Sequence, residues 1–98
     1  MEKKIAHYPL PAVQALVRKG LVRATRTALE DAASLGFSFQ GMIEVVENLV
    51  VNDFYKSMTS RHDNTLWQDV YRYPALDLYI YLKIQILENV VIVSFKEL

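Results

Sequence analysis

Apolar positions in the first half of the chain recur at helical spacing. Val13, Leu16 and Val17 fall at i, i+3 and i+4, with Pro11 suited to an opening turn and Gly20 to a stop. Thr25 is placed to cap a second helix that carries Ala28, Leu29, Ala32 and Leu35 on one side, and Gly36 ends it. Ser38 can cap a third, with Phe39, Met42, Ile43, Val46 and Leu49 as its apolar stripe. From Asn52 onward the period drops to two. Four strands are predicted: Phe54 to Thr59, Leu66 to Arg72, Asp77 to Leu87 and Val90 to Glu97.

The third strand alternates most clearly. Leu78, Ile80, Leu82, Ile84 and Ile86 share one side, and Tyr79, Tyr81, Lys83 and Gln85 the other. The second divides Trp67, Tyr71 and Tyr73 from Leu66, Gln68, Val70 and Arg72. The fourth divides Val91, Val93 and Phe95 from Ile92, Ser94 and Lys96. The first is ambiguous, because Phe54 and Met58 share a side with Lys56 and Tyr55 falls opposite. Helices followed by strands predict an α+β domain, with N-terminal helices packed on one face of an antiparallel β-sheet. The other face stays partly open and should hold Gln68, Arg72, Tyr79, Tyr81, Lys83, Ser94 and Lys96.

Hairpin geometry sharpens this expectation. A two-residue turn at Glu88-Asn89 sets Tyr81 opposite Lys96. A loop from Tyr73 to Leu76 sets Gln68 opposite Tyr81, and a loop from Ser60 to Asn64 sets Lys56 opposite Gln68. Lys56, Gln68, Tyr81 and Lys96 then form one row across four strands, roughly 14 Å long at ordinary strand spacing.

Length and composition bound the function. The 98 residues make one domain, 52% hydrophobic and 22% charged, which is the mix of a folded chain. The absence of cysteine excludes disulfides and thiolate chemistry. No apolar run reaches the ~18 residues of a membrane span, and the N-terminus lacks the apolar stretch of a signal peptide. A cytoplasmic protein with no membrane contact is expected. Eleven basic and eleven acidic residues cancel, yet residues 1–29 hold six bases against Glu2 alone, and residues 30–50 hold four acids and no base. A neutral chain can still present a basic surface if its acids point elsewhere.

The familiar catalytic motifs are missing. Phosphate loops of the G-x-x-x-x-G-K or G-x-G-x-x-G type do not occur. His7 and His62 stand far apart with no metal-ligand spacing, so neither a metal nor a cofactor is expected. His62 beside Asp63 reads as a solvated loop pair, and no serine sits in a nucleophile elbow. What remains is a sheet face of Lys, Arg, Tyr and Gln. These groups suit a polyanion, with Lys83 and Arg72 on phosphate and tyrosines for stacking or hydrogen bonding. The same face also fits an ordinary half-solvated sheet.

Several strings then narrow the reading. NDFYKSMT (52–59), WQDVY (67–71), YLKI (81–84) and VIVSFKE (91–97), with VRATRTALEDAASLGFSFQGM (22–42), resemble the MqsR family of bacterial toxins over nearly the whole chain. The resemblance implies a RelE-like microbial ribonuclease fold and a sequence-selective mRNA endonuclease that cuts near GC-containing triplets. It implies a cognate antitoxin as partner, contact with DNA only through that antitoxin, and a part in stress response, growth arrest and biofilm regulation. It carries catalytic positions onto Lys56, Gln68, Tyr81 and Lys96, with Tyr55, Met58 and Arg72 beside them as substrate contacts. The loop 60–64 and the stretch 73–80 depart from the family pattern, which argues against a role for His62.

The mechanism implied is metal-independent, with the RNA 2′-hydroxyl as nucleophile. Tyr81 would move a proton or hold the phosphate. Lys56 and Lys96 would act electrostatically, one of them as a candidate base with its pKa depressed by neighbouring cations such as Arg72. Gln68 would hydrogen-bond the substrate, and Arg72 would clamp phosphate. The competing readings are a non-catalytic module for antitoxin binding and transcription regulation, and an RNA-binding domain that never cuts.

Overall fold

The computed structural model describes residues 1–98. The helices form where the apolar spacing places them. α1 spans Leu10–Arg18 and buries Leu10, Val13 and Val17. α2 spans Arg26–Ser34, and its Thr25 cap accepts a 3.1 Å hydrogen bond from the Ala28 amide. α3 spans Phe39–Asn48, capped in the same way by Ser38 on the Gly41 amide. Gly20 and Gly36, at φ of +80° and +88°, make the left-handed exits from α1 and α2.

Six strands make one sheet: β1 Glu2–Lys3, β2 Val22–Ala24, β3 Phe54–Thr59, β4 Trp67–Ala75, β5 Leu78–Leu87 and β6 Asn89–Glu97. Their order is β1-β3-β4-β5-β6-β2. β2 runs parallel to β6, whereas every other neighbouring pair is antiparallel. The expected antiparallel sheet is therefore mixed, and strands interleave with the helices. β1 and β2 are two and three residues long, too short to show a period. β2 is held by its setting instead. The Thr25 amide and hydroxyl, at the junction of β2 and α2, donate to the carbonyls of Ile92 and Val93.

Helix residues and one side of the strands share a single core. Val13, Val17, Ala28, Ala32, Met42 and Val46 pack with Tyr71, Ile80, Leu82, Ile84, Ile92 and Phe95. Leu29 and Phe39 were expected on the packed sides but are about 40% exposed, while Val45 is buried. The buried Asp69 carboxylate fastens the segment after β1, accepting hydrogen bonds from the His7 and Tyr8 amides at 3.0 and 2.9 Å.

Two bulges reset which side chains share a side. Between Phe54 and Lys56 the β3–β4 ladder skips Tyr55. Phe54 thereby joins the core, edge-on to Tyr71, while Tyr55, Lys56 and Met58 fall on the open face. In β6, Val93 is the extra residue between Ile92, opposite Ile84, and Ser94, opposite Lys83. The simple alternation expected for this strand is thus broken. Ile92 joins Phe95 in the core, and Val91 crosses to the side of Gln85.

The hairpins also differ from the expected loops. β4 runs on through Pro74 to Ala75, which faces Leu78 across Leu76-Asp77. Beyond Tyr71 β4 is flanked by β5 alone, the edge-like position where a proline's missing N–H is tolerated. At the other end Leu87 faces Asn89 directly, and Glu88 makes the reversal at φ +64°. That turn is tighter than the expected Glu88-Asn89 pair. The Val93 bulge compensates, so that Tyr81 still meets Lys96.

Candidate active site

The straight row of Lys56, Gln68, Tyr81 and Lys96 does not form. Tyr81 faces Lys96 on one side as expected, but Arg72 on the other. Gln68 faces Met58 on β3 and, by continuation of the β4–β5 register, Gln85, to which it donates a 2.9 Å hydrogen bond. Lys56 faces Val70, which in turn faces Lys83 and then Ser94. The errors are even numbers of residues, so every expected member stays on the open face while its partner changes.

Three tiers result. The first holds Tyr55, Arg72, Tyr81 and Lys96. The second holds Lys56, Lys83 and Ser94. The third holds Met58, Gln68 and Gln85. Gln85 lies four residues from Tyr81 on β5, about 13 Å of strand. Gln68 and Gln85 are each 8% exposed, so Gln68 supports the floor of the face more than it reaches toward solvent.

The upper tiers are built from cations and tyrosine rings. The Arg72 guanidinium carbon lies 3.7 Å from the centre of the Tyr55 ring, with the Lys4 and Lys56 ammonium groups at 5.0 and 5.3 Å. Lys96 and Lys83 stand 5.7 and 5.9 Å from the centre of the Tyr81 ring. Such contacts hold cations in place while leaving their N–H donors free for an anion. One acid interrupts the set. The Glu2 carboxylate of β1 accepts a 2.8 Å hydrogen bond from the Lys56 ammonium.

Protonation follows from these neighbours. Glu2 raises the pKa of Lys56, and Lys56 lowers that of Glu2. The shift of Lys56 therefore runs opposite to the depressed pKa that a lysine base would need. The lysine whose pKa falls is Lys83, through partial burial and then the nearby charges of Lys96, Arg61 and Lys56. Burial raises the Tyr81 pKa, with the Lys56 charge opposing. Tyr81 thus keeps its proton at neutral pH.

Sequence reasoning missed Glu2, Lys4 and Gln85 as neighbours of the site. The alternation of β5 already set Gln85 on the same side as Tyr81, but β1 gave no pattern from which Glu2 could be read. His62 is exposed, and Asp63 is engaged with the Thr65 amide and hydroxyl, so the two do not pair. No three His, Cys, Asp or Glu side chains gather to hold a metal ion. No helix is long and apolar enough to cross a membrane.

The molecule is an α+β domain with a mixed six-stranded sheet, whose open face carries cations around tyrosine rings. Comparison with known proteins gives the lineage. The family described as "Motility quorum-sensing regulator, toxin of MqsA" matches residues 5–97, and this chain belongs to it. The mRNA interferase toxin MqsR of Escherichia coli (strain K12) is 50% identical over 97 residues, covering 99% of both chains.

Proposed function

We propose that this chain is the toxin of a type II toxin–antitoxin pair and that it acts as an mRNA interferase, a metal-independent endoribonuclease. The observation that carries the reading is Tyr81 set between Arg72 and Lys96, on a chain half identical to an mRNA interferase toxin along its full length. In this reading the fold is of the RelE-like microbial ribonuclease type. The substrate is mRNA, cut near GC-containing triplets in the cytoplasm. The partner is a cognate antitoxin, through which alone the toxin meets operator DNA.

The chemistry needs three services: binding of the phosphate, stabilisation of its developing charge and a proton for the leaving oxygen. Arg72 and Lys96 flank Tyr81 and grip the scissile phosphate, Arg72 in two-pronged fashion. Lys56 and Lys83 hold the adjoining backbone. Tyr81, kept protonated by burial, donates to the departing 5′-oxygen. The 2′-hydroxyl attacks the neighbouring phosphorus, so the products carry a 2′,3′-cyclic phosphate and a 5′-hydroxyl. Tyr55 and Met58 offer stacking and apolar contact to bases, and Gln68 bonds substrate from the lower tier or fixes Gln85.

The test is a synthetic RNA carrying GC triplets, incubated with the chain and analysed for end groups. Cleavage with a cyclic phosphate, blocked by a 2′-deoxy substitution at the cut site, supports the reading. Tight binding without cleavage would replace it with an RNA-binding module, and neither binding nor cleavage with a non-catalytic one.

A further inference from the structure

The open face supplies many groups that can give a proton and few that can take one. Attack by the 2′-hydroxyl needs an acceptor at neutral pH. Tyr81 is held protonated by burial and Lys56 by its ion pair, and a guanidinium such as that of Arg72 offers only donors. That leaves Lys83, whose pKa is lowered, and any carboxylate on the face, which needs no shift to be a base at neutral pH. Among strand positions on this face, from Met58 and Gln68 to Lys83, Ser94 and Lys96, only Glu2 bears an acid.

Glu2 is built into the face. β1 pairs with β3, placing Glu2 opposite Met58, and the Thr59 amide donates to the Met1 carbonyl at 3.0 Å. One carboxylate oxygen, Oε2, receives the Lys56 ammonium at 2.8 Å, which leaves Oε1 available to accept. The Glu2 side chain is 53% exposed, so substrate can reach it. The Lys56 ammonium also stands 5.3 Å from the centre of the Tyr55 ring and feels the Tyr81 hydroxyl, which sets Glu2 at the border of the upper tiers.

We propose that Glu2 is the general base of the reaction, its carboxylate taking the 2′-hydroxyl proton while Lys56 orients it. This rests on the ribonuclease reading and deepens it. The step balances within the site. The 2′-oxygen forms its bond to phosphorus as its proton passes to Glu2, the phosphorus–5′-oxygen bond breaks, and Tyr81 protonates the departing oxygen. Solvent then carries the proton from Glu2 back to Tyr81. The groups that set the charge of Glu2 are Lys56 on β3, Lys4 beside β1, the chain's amino terminus and, across the face, Tyr81. Because the cations favour the carboxylate, Glu2 stays ionised to a pH below the usual glutamate range.

The experiment is single-turnover cleavage of the synthetic RNA from acid to alkaline pH by the wild-type chain, Glu2→Gln and Glu2→Asp, with thermal melts to confirm folding. The expected result is a loss of about 100-fold or more in rate for Glu2→Gln at little change in substrate affinity. Its acid limb disappears, and Glu2→Asp keeps part of the rate. Lys56→Met should move the wild-type acid limb upward in pH, since Glu2 loses the charge that holds its pKa down. A folded Glu2→Gln that cuts within about threefold of wild type, or faster, overturns the proposal and leaves Glu2 as a mere counter-charge to Lys56. If Glu2→Gln fails to fold, the Lys56→Met profile decides, and an unmoved limb overturns it. A wild-type chain that releases no cyclic phosphate removes the parent reading instead, and this one with it.

Discussion

Gln68 donates a 2.9 Å hydrogen bond to the Gln85 side-chain oxygen, and both amides are buried in the open face of the sheet. Removing either partner leaves the other's polar group buried and unpaired, at about 1–3 kcal/mol. Gln68→Ala and Gln85→Ala should therefore each destabilise the fold by that amount, and the double variant by less than their sum. A double-mutant cycle on chemical denaturation midpoints checks this. Cleavage by Gln85→Ala should fall along with that of Gln68→Ala if Gln68 works by fixing the floor. A loss confined to Gln68→Ala would show direct contact with substrate.

Tyr81→Phe keeps the ring between Lys83 and Lys96 and removes only the hydroxyl. Its rate constant at saturating RNA should drop by about 100-fold or more with little change in melting temperature. The wild-type rate should decline on the alkaline side only above the usual tyrosine pKa, since burial raises that of Tyr81. Steady-state kinetics across alkaline pH measure both effects.

The pKa values of Lys83 and Lys56 are shifted in opposite directions. Partial burial and the charges of Lys96, Arg61 and Lys56 pull the Lys83 pKa down, while the Glu2 bond pushes that of Lys56 up. Carbon-detected NMR of the lysine side chains should find Lys83 losing its proton first, and Lys96→Ala should shift Lys83 back up. The folded pKa of Lys83 lies below the unfolded one. The unfolded chain thus holds more protons between the two values, and stability rises with pH across that window. Lys83→Met should accordingly fold at least as stably as wild type at neutral pH while losing affinity for RNA.

Asp69 tests the anchor that carries β1 to the site. Asp69→Ala removes two hydrogen bonds to a buried carboxylate and strands the His7 and Tyr8 amides. A loss of about 2–4 kcal/mol is expected, seen as a melting temperature lower by about 10 °C or more for a domain this small. Protease sensitivity should rise first around residues 1–9.

Glu88 occupies a left-handed conformation at φ +64° and is exposed. Glu88→Gly relieves that strain and should stabilise the hairpin by about 0.5–1 kcal/mol without changing cleavage. A thermal melt beside a cleavage assay is enough to test it.

The positions of Tyr81, Lys83, Lys96, Arg72 and Gln68 on one face were legible in the sequence, as were the caps Thr25 and Ser38 and the punctuation at Gly20 and Gly36. So was the family, through strings such as NDFYKSMT and VIVSFKE. Tyr55 was ambiguous because strict alternation opposes it to Met58, and only the bulge between Phe54 and Lys56 reconciles them. Phe54, Ile92 and Val91 changed sides for the same reason.

Sequence alone thus determined the local elements and, for the most part, which side of the sheet each chemistry-bearing residue takes. Side-chain parity is a property of one strand, and it survives any even slip between neighbours. Tertiary structure alone decided who faces whom: Arg72 rather than Gln68 beside Tyr81, and Val70 rather than Gln68 beside Lys56. It also brought Glu2 onto Lys56 from more than fifty residues away. Register is set by turn closure and bulges in the hydrogen-bond ladder, and edge pairing by contacts between distant segments. Neither leaves a period in the chain to be read.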